Sequence, residues 1–374
     1  MLIFAINPGS TSTKLALFRD EELLWRTETH HEPEKLTGLR MVDQLEFRTE
    51  GIRKTLKEMK VDPASFDIIV CRGGNMPYIK GGAYKVNQHM LNVNTYAPMH
   101  EHAANLACMI GDAIGRPLGI PVIIYDGTGV DEMDEIAKIT GMPEVTIMPA
   151  NHVLNSRMVC RMTAKKLGKR FEDCGFIVVH MGGGITITAY KDGKLIDCVM
   201  ADQGPMSPER SGRIQPTRML DLCYSGERTK AEMRKYIRGG SGILAHLGTQ
   251  NMKEVFERIE SGDEHARKIV YAMAYQIAKG IGEMAVVLRG KIDSIILTGG
   301  LARNEDFCGW ISEMAGFLGR FERVPGEYEM EALAEGARRV LSGQEEAKTY
   351  DLPPYGFKTV DEFYAAFPQA KREF

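Results

Sequence analysis

One piece of structure is written into this chain twice. The apolar run Leu2-Ile-Phe-Ala-Ile6 meets Asn7-Pro-Gly-Ser-Thr-Ser-Thr-Lys14 and resumes as Leu15-Ala-Leu-Phe18. Far downstream, Phe176-Ile-Val-Val179 meets His180-Met-Gly-Gly-Gly184 and resumes as Ile185-Thr-Ile-Thr-Ala-Tyr190. Each copy then turns on a charged tip, Arg19-Asp-Glu-Glu22 and Lys191-Asp-Gly-Lys194, and starts another strand. Each reads as a β-hairpin whose first turn is a loop of small residues, able to bring backbone N–H groups up to an anion. Two such hairpins predict two related α/β domains with phosphate between them.

Length agrees with two domains, since 374 residues exceed what one core holds. The formal net charge of −3 leaves no basic footprint for nucleic acid. The seven cysteines (Cys71, Cys108, Cys160, Cys174, Cys198, Cys223 and Cys308) are scattered and form no C-x-x-C pair. That argues against a zinc site or a disulfide framework and for buried, reduced thiols in a cytoplasmic protein. No apolar run approaches the roughly 20 residues of a membrane span. The amino terminus lacks the basic start of a signal peptide and runs straight into the first motif.

Apolar spacing predicts a helix over Thr37–Lys60, a strand over Phe66–Cys71 ending in Arg72, and a helix over Ala103–Gly115. A further buried strand, Ile120–Tyr125, ends in Asp126, and His152–Leu167 reads as a helix. In the second half, Met219–Cys223 reads as helical. Thr229 and Glu232 have capping-box spacing, and Lys268–Arg289 is a long amphipathic helix. Ile292–Leu297 is a strand ending in Thr298-Gly-Gly300, and Glu331–Leu341 a last helix. These elements predict domains at 1–170 and 171–342. The remainder, 343–374, carries Tyr350, Tyr355, Phe357, Phe363, Tyr364, Phe367 and Phe374. So aromatic a segment is expected to dock, and the first domain is its expected platform.

Asn7–Lys14 supplies a glycine, hydroxyls, an amide and an ammonium, the groups a polyphosphate needs. It lacks Walker A spacing and leads into a strand rather than a helix, so a tight polar turn would look the same. His180–Gly184 places three consecutive glycines after a buried strand, which marks a closely approached backbone or a β-bulge. Leu297-Thr-Gly-Gly-Leu-Ala-Arg-Asn304 is the third glycine loop. Arg72 and Asp126 end buried strands, where ligands of open α/β sheets gather. Arg210 follows the second hairpin, and His152 begins a helix. An arginine in such a place serves equally in a surface ion pair, and a histidine in packing.

Together, Asn7-Pro-Gly-Ser-Thr-Ser-Thr-Lys14, Ser207-Pro-Glu-Arg-Ser-Gly212, Ala272-Met-Ala-Tyr-Gln-Ile-Ala-Lys279 and Leu297-Thr-Gly-Gly-Leu-Ala302 resemble the acetate kinase family, most closely its butyrate-phosphorylating branch. The resemblance runs from residue 2 to about 342. It implies the superfold shared by acetate and sugar kinases and actin-like ATPases: two duplicated α/β domains with the nucleotide in the interdomain cleft. It implies that Asn7, Ser10, Ser12 and Lys14 form the first phosphate loop and His180, Gly182, Gly183 and Gly184 the second. Gly299, Gly300 and the neighbouring Arg303 would serve the adenosine end. Arg72 and Arg210 resemble the arginines that hold the transferred phosphoryl group, and His152 a histidine contacting the phosphoryl or acyl oxygen. Asp126 and Asn7 resemble groups near Mg²⁺, with Glu329 or Glu331 as the metal-linked glutamate. The chain departs from acetate kinases at Cys71-Arg-Gly-Gly74, which is shorter and lacks a neighbouring histidine. It also departs at Gly183, an asparagine there, and at His100-Glu-His102, which aligns only with a gap.

The implied reaction joins ATP to a short-chain carboxylate, giving ADP and an acyl phosphate, with Mg²⁺ and no phosphoenzyme. Butyrate is the favoured acceptor, and isobutyrate, propionate and acetate are the alternatives. A non-catalytic nucleotide-binding protein of the same superfold is the reading of a different class. The family also implies a homodimer or larger homo-oligomer.

Overall fold

Strand pairing follows the two hairpins. The structure is a computed structural model that describes residues 1–31, 36, 38–74, 76, 79–98, 101–149 and 151–370. The chain divides into two compact units, Met1–Asp131 with Tyr328–Phe374, and Glu132–Glu327.

The first unit contains β1 (Leu2–Pro8), β2 (Ser12–Arg19), β3 (Glu22–His30), β4 (Ile68–Arg72), β5 (Ala83–Lys85) and β6 (Val122–Tyr125). Its sheet runs β3-β2-β1-β4-β6-β5, with β1, β4 and β6 mutually parallel. Ile3–Ile6 and Ile68–Cys71 are buried without alternation, as expected of central parallel strands covered on both faces. The helices Leu106–Gly115 and Glu329–Leu341 pack on β1, β4 and β6.

The second unit contains β7 (Gly175–Met181), β8 (Ile185–Lys191), β9 (Lys194–Val199), β10 (Ser294–Gly299) and β11 (Phe321–Pro325), ordered β11-β10-β7-β8-β9. Read from β9, this is the connectivity of β3-β2-β1-β4-β6. The repeat extends to irregularities. The ladder shifts register between Leu17 and Phe18 and, one hairpin later, between Ala189 and Tyr190. The tips match as well: Asp20 and Asp192 both adopt left-handed backbone, φ 54° and 52°. Aspartate tolerates this better than most residues because its short polar side chain can bond locally.

The helix expected over Thr37–Lys60 is shorter, Leu45–Glu58 after a 3₁₀ turn at Val42–Gln44; Thr37 lies outside the described residues. The short strand β5 and the helices Gln88–Tyr96, Met252–Glu260 and Val360–Ala366 had no sequence counterpart. Thr229 and Glu232 form the reciprocal capping box. The division at 131/132 and 327/328 differs from boundaries at 170/171 and 342/343. The reason is packing: the helix Val153–Lys166 lies on β7 and β10, whereas Glu329–Leu341 lies on the first sheet.

The aromatic segment packs on the first unit. Tyr350 and Phe363 are fully buried, the ring nitrogens of His89 bond Tyr364 Oη and the Leu352 carbonyl, and Asn87 donates to the Tyr350 carbonyl. Phe374 lies outside the described residues. All seven cysteines are free and all but Cys223 are buried. Among the described residues, no helix is long and apolar enough to cross a membrane.

Candidate functional site

In the first unit, sheet order places Asn7, Arg72 and Asp126 in a row. Asn7 lies at the carboxyl end of β1, Arg72 ends β4 and Asp126 follows β6, and these are neighbouring parallel strands. Glu329 enters the row from the first turn of the helix packed on β1 and β4. Its Oε2 accepts from Asn7 Nδ2 at 2.7 Å and pairs with Arg72 Nη1 at 3.3 Å, while Arg72 also donates to Asn7 Oδ1 at 3.4 Å. Glu331 goes elsewhere, into a pair with Arg26. Of the two glutamates left open by the sequence, Glu329 is therefore the one at this row. Burial, and then the charge of Arg72, hold the His102 imidazole below its usual pKa; His100 lies outside the described residues.

The first loop, Gly9–Ser12, directs its carbonyls inward. Those of Gly9, Ser10 and Ser12 accept from the guanidinium of Arg48, and that of Thr11 accepts from the His31 N–H. The Gly9 N–H closes the turn on Ser12 O at 2.7 Å. The amides of Ser10 and Thr11, on exposed residues, donate to nothing among the described residues. Carbonyls tied down with N–H groups left to face solvent are the arrangement an anion receptor needs. Ser12 Oγ donates to Glu28, and Lys14 stands opposite Asn7 across the hairpin.

Asp126 is buried with φ 39°, a strained backbone for a non-glycine residue and of the kind that gathers at functional sites. Two bonds to Gly82 keep it there: Gly82 N–H donates to Asp126 Oδ1 at 2.8 Å, and Asp126 N–H to Gly82 O. Glu345, from the segment after the last predicted helix, clamps both flanks. Its Oε1 accepts from Ala83 N–H and its Oε2 from the Tyr125 hydroxyl. Burial raises the Glu345 pKa, but these bonds and Arg339 outweigh it and leave the carboxyl below its usual range.

Three oxygen-donor side chains, Asn7, Asp126 and Glu329, suit Mg²⁺, which takes one or two carboxylates and completes its shell with water and phosphate. One Glu329 oxygen is committed to Asn7 and Arg72, so a cation there would share it with the guanidinium. Among the described residues, no group of three His, Cys, Asp or Glu side chains is arranged as a metal cage.

In the second unit the glycine loop is bare. Gly182 N–H donates to Gly184 O, and Ser207 Oγ donates to the Gly183 carbonyl. A Cβ on Gly184 would come within 2.9 Å of Arg210 Nε, so the glycine is what lets the guanidinium lie against the loop. That Nε is buried and bonds no partner, an orphaned donor such as an anion satisfies. Below the loop, the rings of His152 and His180 stack at 3.9 Å, with Asn155 bonding His180 Nδ1 and Thr186 Oγ1 near His152 Nδ1. Gly299 adopts φ 89° and pairs both ways with Gly326; a Cβ would lie 2.5 Å from the Met181 carbonyl. Gly300 is exposed beside it, and Arg303 lies against Gly326.

Sequence reasoning found the glycine loops and strand-end charges because each is local. It missed Arg48, His31, Asn155 and Glu345. Arg48 left one signal: a charged residue four before Ile52 and eight before Leu56, on the helix's buried face.

Duplicated five-strand units with glycine loops at strand ends define the acetate and sugar kinase/actin-like ATPase superfold. A crystal structure of Porphyromonas gingivalis acetate kinase superposes with TM-score 0.75 at 19% identity, covering 90% of this chain and 98% of that one. The profile of the acetokinase family matches residues 84–319. Butyrate kinase 2 of Clostridium acetobutylicum is 42% identical over 351 residues, 93% of this chain and 99% of its own. Butyrate kinase 1 of the same organism is 39% identical with the same coverage. The chain belongs to the acetokinase family.

Proposed function

We propose that this protein transfers the γ-phosphoryl group of ATP to a short-chain carboxylate, butyrate before others, and catalyses the reverse reaction. The observation that carries the choice of acceptor is the similarity to butyrate kinases along almost the whole chain. The chemistry rests on the site. A short-chain acid ionises near pH 4–5, like a glutamate side chain, so its carboxylate is already the nucleophile and needs no base. The difficulty is bringing two anions together in line, which makes catalysis a matter of positioning and charge neutralisation.

The first loop offers the Ser10 and Thr11 amides, with the Ser10 and Ser12 hydroxyls and Lys14 as further donors. Arg72, held by Asn7 and Glu329, neutralises phosphoryl charge, and Arg210 offers its orphaned Nε to the same task. Gly182–Gly184 cradles nucleotide phosphates, and Gly299, Gly300 and Arg303 serve the adenosine end. His152 contacts a phosphoryl or acyl oxygen while the stacked His180 ring and Thr186 Oγ1 fix its own ring. Asn7, Asp126 and Glu329 would hold Mg²⁺, which when bound offsets phosphate charge. Transfer is direct, so a chiral γ-phosphorus would be inverted; retention would contradict this.

We read the protein as cytoplasmic and as a homodimer or larger. Helix Pro216–Tyr224 supports the oligomer, with Leu220 and Tyr224 56% and 83% exposed. A monomeric mass by light scattering would refute it. Acyl-hydroxamate formation from acetate, propionate, butyrate and isobutyrate tests the function itself. Highest kcat/KM with butyrate is expected. A different best acid would move the acceptor, since one methylene discriminates by only about 1–3 kcal/mol. No hydroxamate from any acid would overturn the reading.

A further inference from the structure

A buried charge is expected to meet an opposite charge, because removing an ion from water costs several kcal/mol that neutral partners only partly return. Arg48 departs from this. It is 1% exposed, and its bonds go to neutral oxygens only: the carbonyls of Gly9, Ser10 and Ser12, Thr13 Oγ1, and Gln44 Oε1 twice. None of the described carboxylates bonds to it. Burial alone lowers its pKa, with no anion to raise it. The nearby imidazole adds no compensation. His31 Nε2 bonds Thr13 Oγ1 at 2.9 Å, and burial, followed by the charge of Arg48, lowers its pKa to about 4, so it is neutral at pH 7.

The positions of these bonds matter as much as their number. Three of the four carbonyls in Gly9–Ser12 end on one guanidinium. A peptide group has two polar ends, and fixing the carbonyl end toward Arg48 turns the amide end the other way. The exposed, undonated amides of Ser10 and Thr11 are the counterpart of the buried bonds. A hydrogen-bonded Gln44 holds the guanidinium plane from the far side. The charge thus lies directly under the backbone that faces solvent.

We propose that Arg48 is a positioning residue of the first loop, a buried cation with no carboxylate partner among the described residues, so that the bound phosphoryl group becomes its counter-ion. It touches no substrate. It sets which edge of the loop faces the anion and adds a positive field from beneath, where low dielectric strengthens it. The inference rests on the first loop receiving the phosphoryl group, as proposed above, and it adds a residue outside the loops and strand ends on which that reading rests.

The test uses the full chain with Arg48→Met, which removes charge and fork but keeps the stem, and Arg48→Lys, which keeps the charge. Steady-state kinetics with ATP and butyrate are measured beside the apo melting temperature and its rise with ATP. R48M is expected to lose about 10–100-fold in kcat, the scale of a lost supporting partner at a charged site. Its KM for ATP should stay within about threefold, and R48K should recover part of the loss. A wild-type kcat in R48M, with only the apo melting temperature lowered, would overturn the proposal. So would R48K performing no better than R48M. If R48M does not fold, Gln44→Leu removes the acceptor that orients the guanidinium. Lower kcat at unchanged apo melting would then support the proposal, and unchanged kcat would overturn it. An inactive wild-type chain would instead count against the proposed function.

Discussion

The two hairpin loops stand on the same five-strand connectivity, with a register shift at the same place, yet they are furnished differently. The first keeps side chains at its surface and, beneath it, a guanidinium that bonds only neutral oxygens among the described residues. The second is glycine at the surface, with the Arg210 guanidinium against it and two stacked imidazoles and neutral amides and hydroxyls below. On the proposed reading both loops receive phosphate, and the furnishing divides their work. Hydroxyls, an amide and a cation would act on charge that moves during transfer. Bare N–H groups would bind charge that is the same before and after, and so would set affinity rather than rate.

The division can be broken most severely at Arg210, the cation lying against the second loop. Arg210→Ala should lower kcat by roughly 10³, about 4 kcal/mol of barrier, with ATP affinity little changed. Unaltered turnover would remove Arg210 from the phosphoryl site. The first side is sharpened by its two glutamates. Glu329→Gln should cost about 10–100-fold in kcat, because it unseats Arg72 and Asn7 together. Glu331→Gln, which loses only a partly exposed pair with Arg26, should stay within about twofold. Equal losses in kcat/KM would erase the distinction drawn between them.

The smallest effect concerns the support of the first loop. His31 is neutral in the folded chain down to about pH 4, whereas the unfolded chain protonates it near 6.5. The unfolded state then binds the extra proton, so this contribution to stability is present above pH 6.5 and lost as pH falls toward 4. His31→Gln should flatten that part of the melting-temperature profile. An unchanged slope would show that His31 does not carry it.

Much of this was legible from local pattern. The hairpins, their charged tips, Arg72 and Asp126 at strand ends and the capping box at Thr229 all lie within a few residues of the signal that marks them. What was not legible is held by distant segments. Strand β5 is three residues long and too short for periodicity, yet it follows the Gly82 that holds Asp126. Glu345 reaches it from more than two hundred residues away, and Arg48 looks like any charged helix residue until the loop folds over it. The compact units depart from the expected boundaries for the same reason: a helix late in the chain returns to the first sheet.

The division of labour is tested most directly by Asn7→Ala and Gly183→Ala assayed side by side with ATP and butyrate. The nearest atoms a Cβ on Gly183 would meet belong to the movable side chain of Glu209, at 3.0 Å, so that variant is expected to fold. The account predicts that N7A loses about 10²-fold in kcat with KM for ATP nearly unchanged. It predicts that G183A raises KM for ATP about tenfold with kcat nearly unchanged. The same pattern in both variants, or the two patterns exchanged, would contradict it.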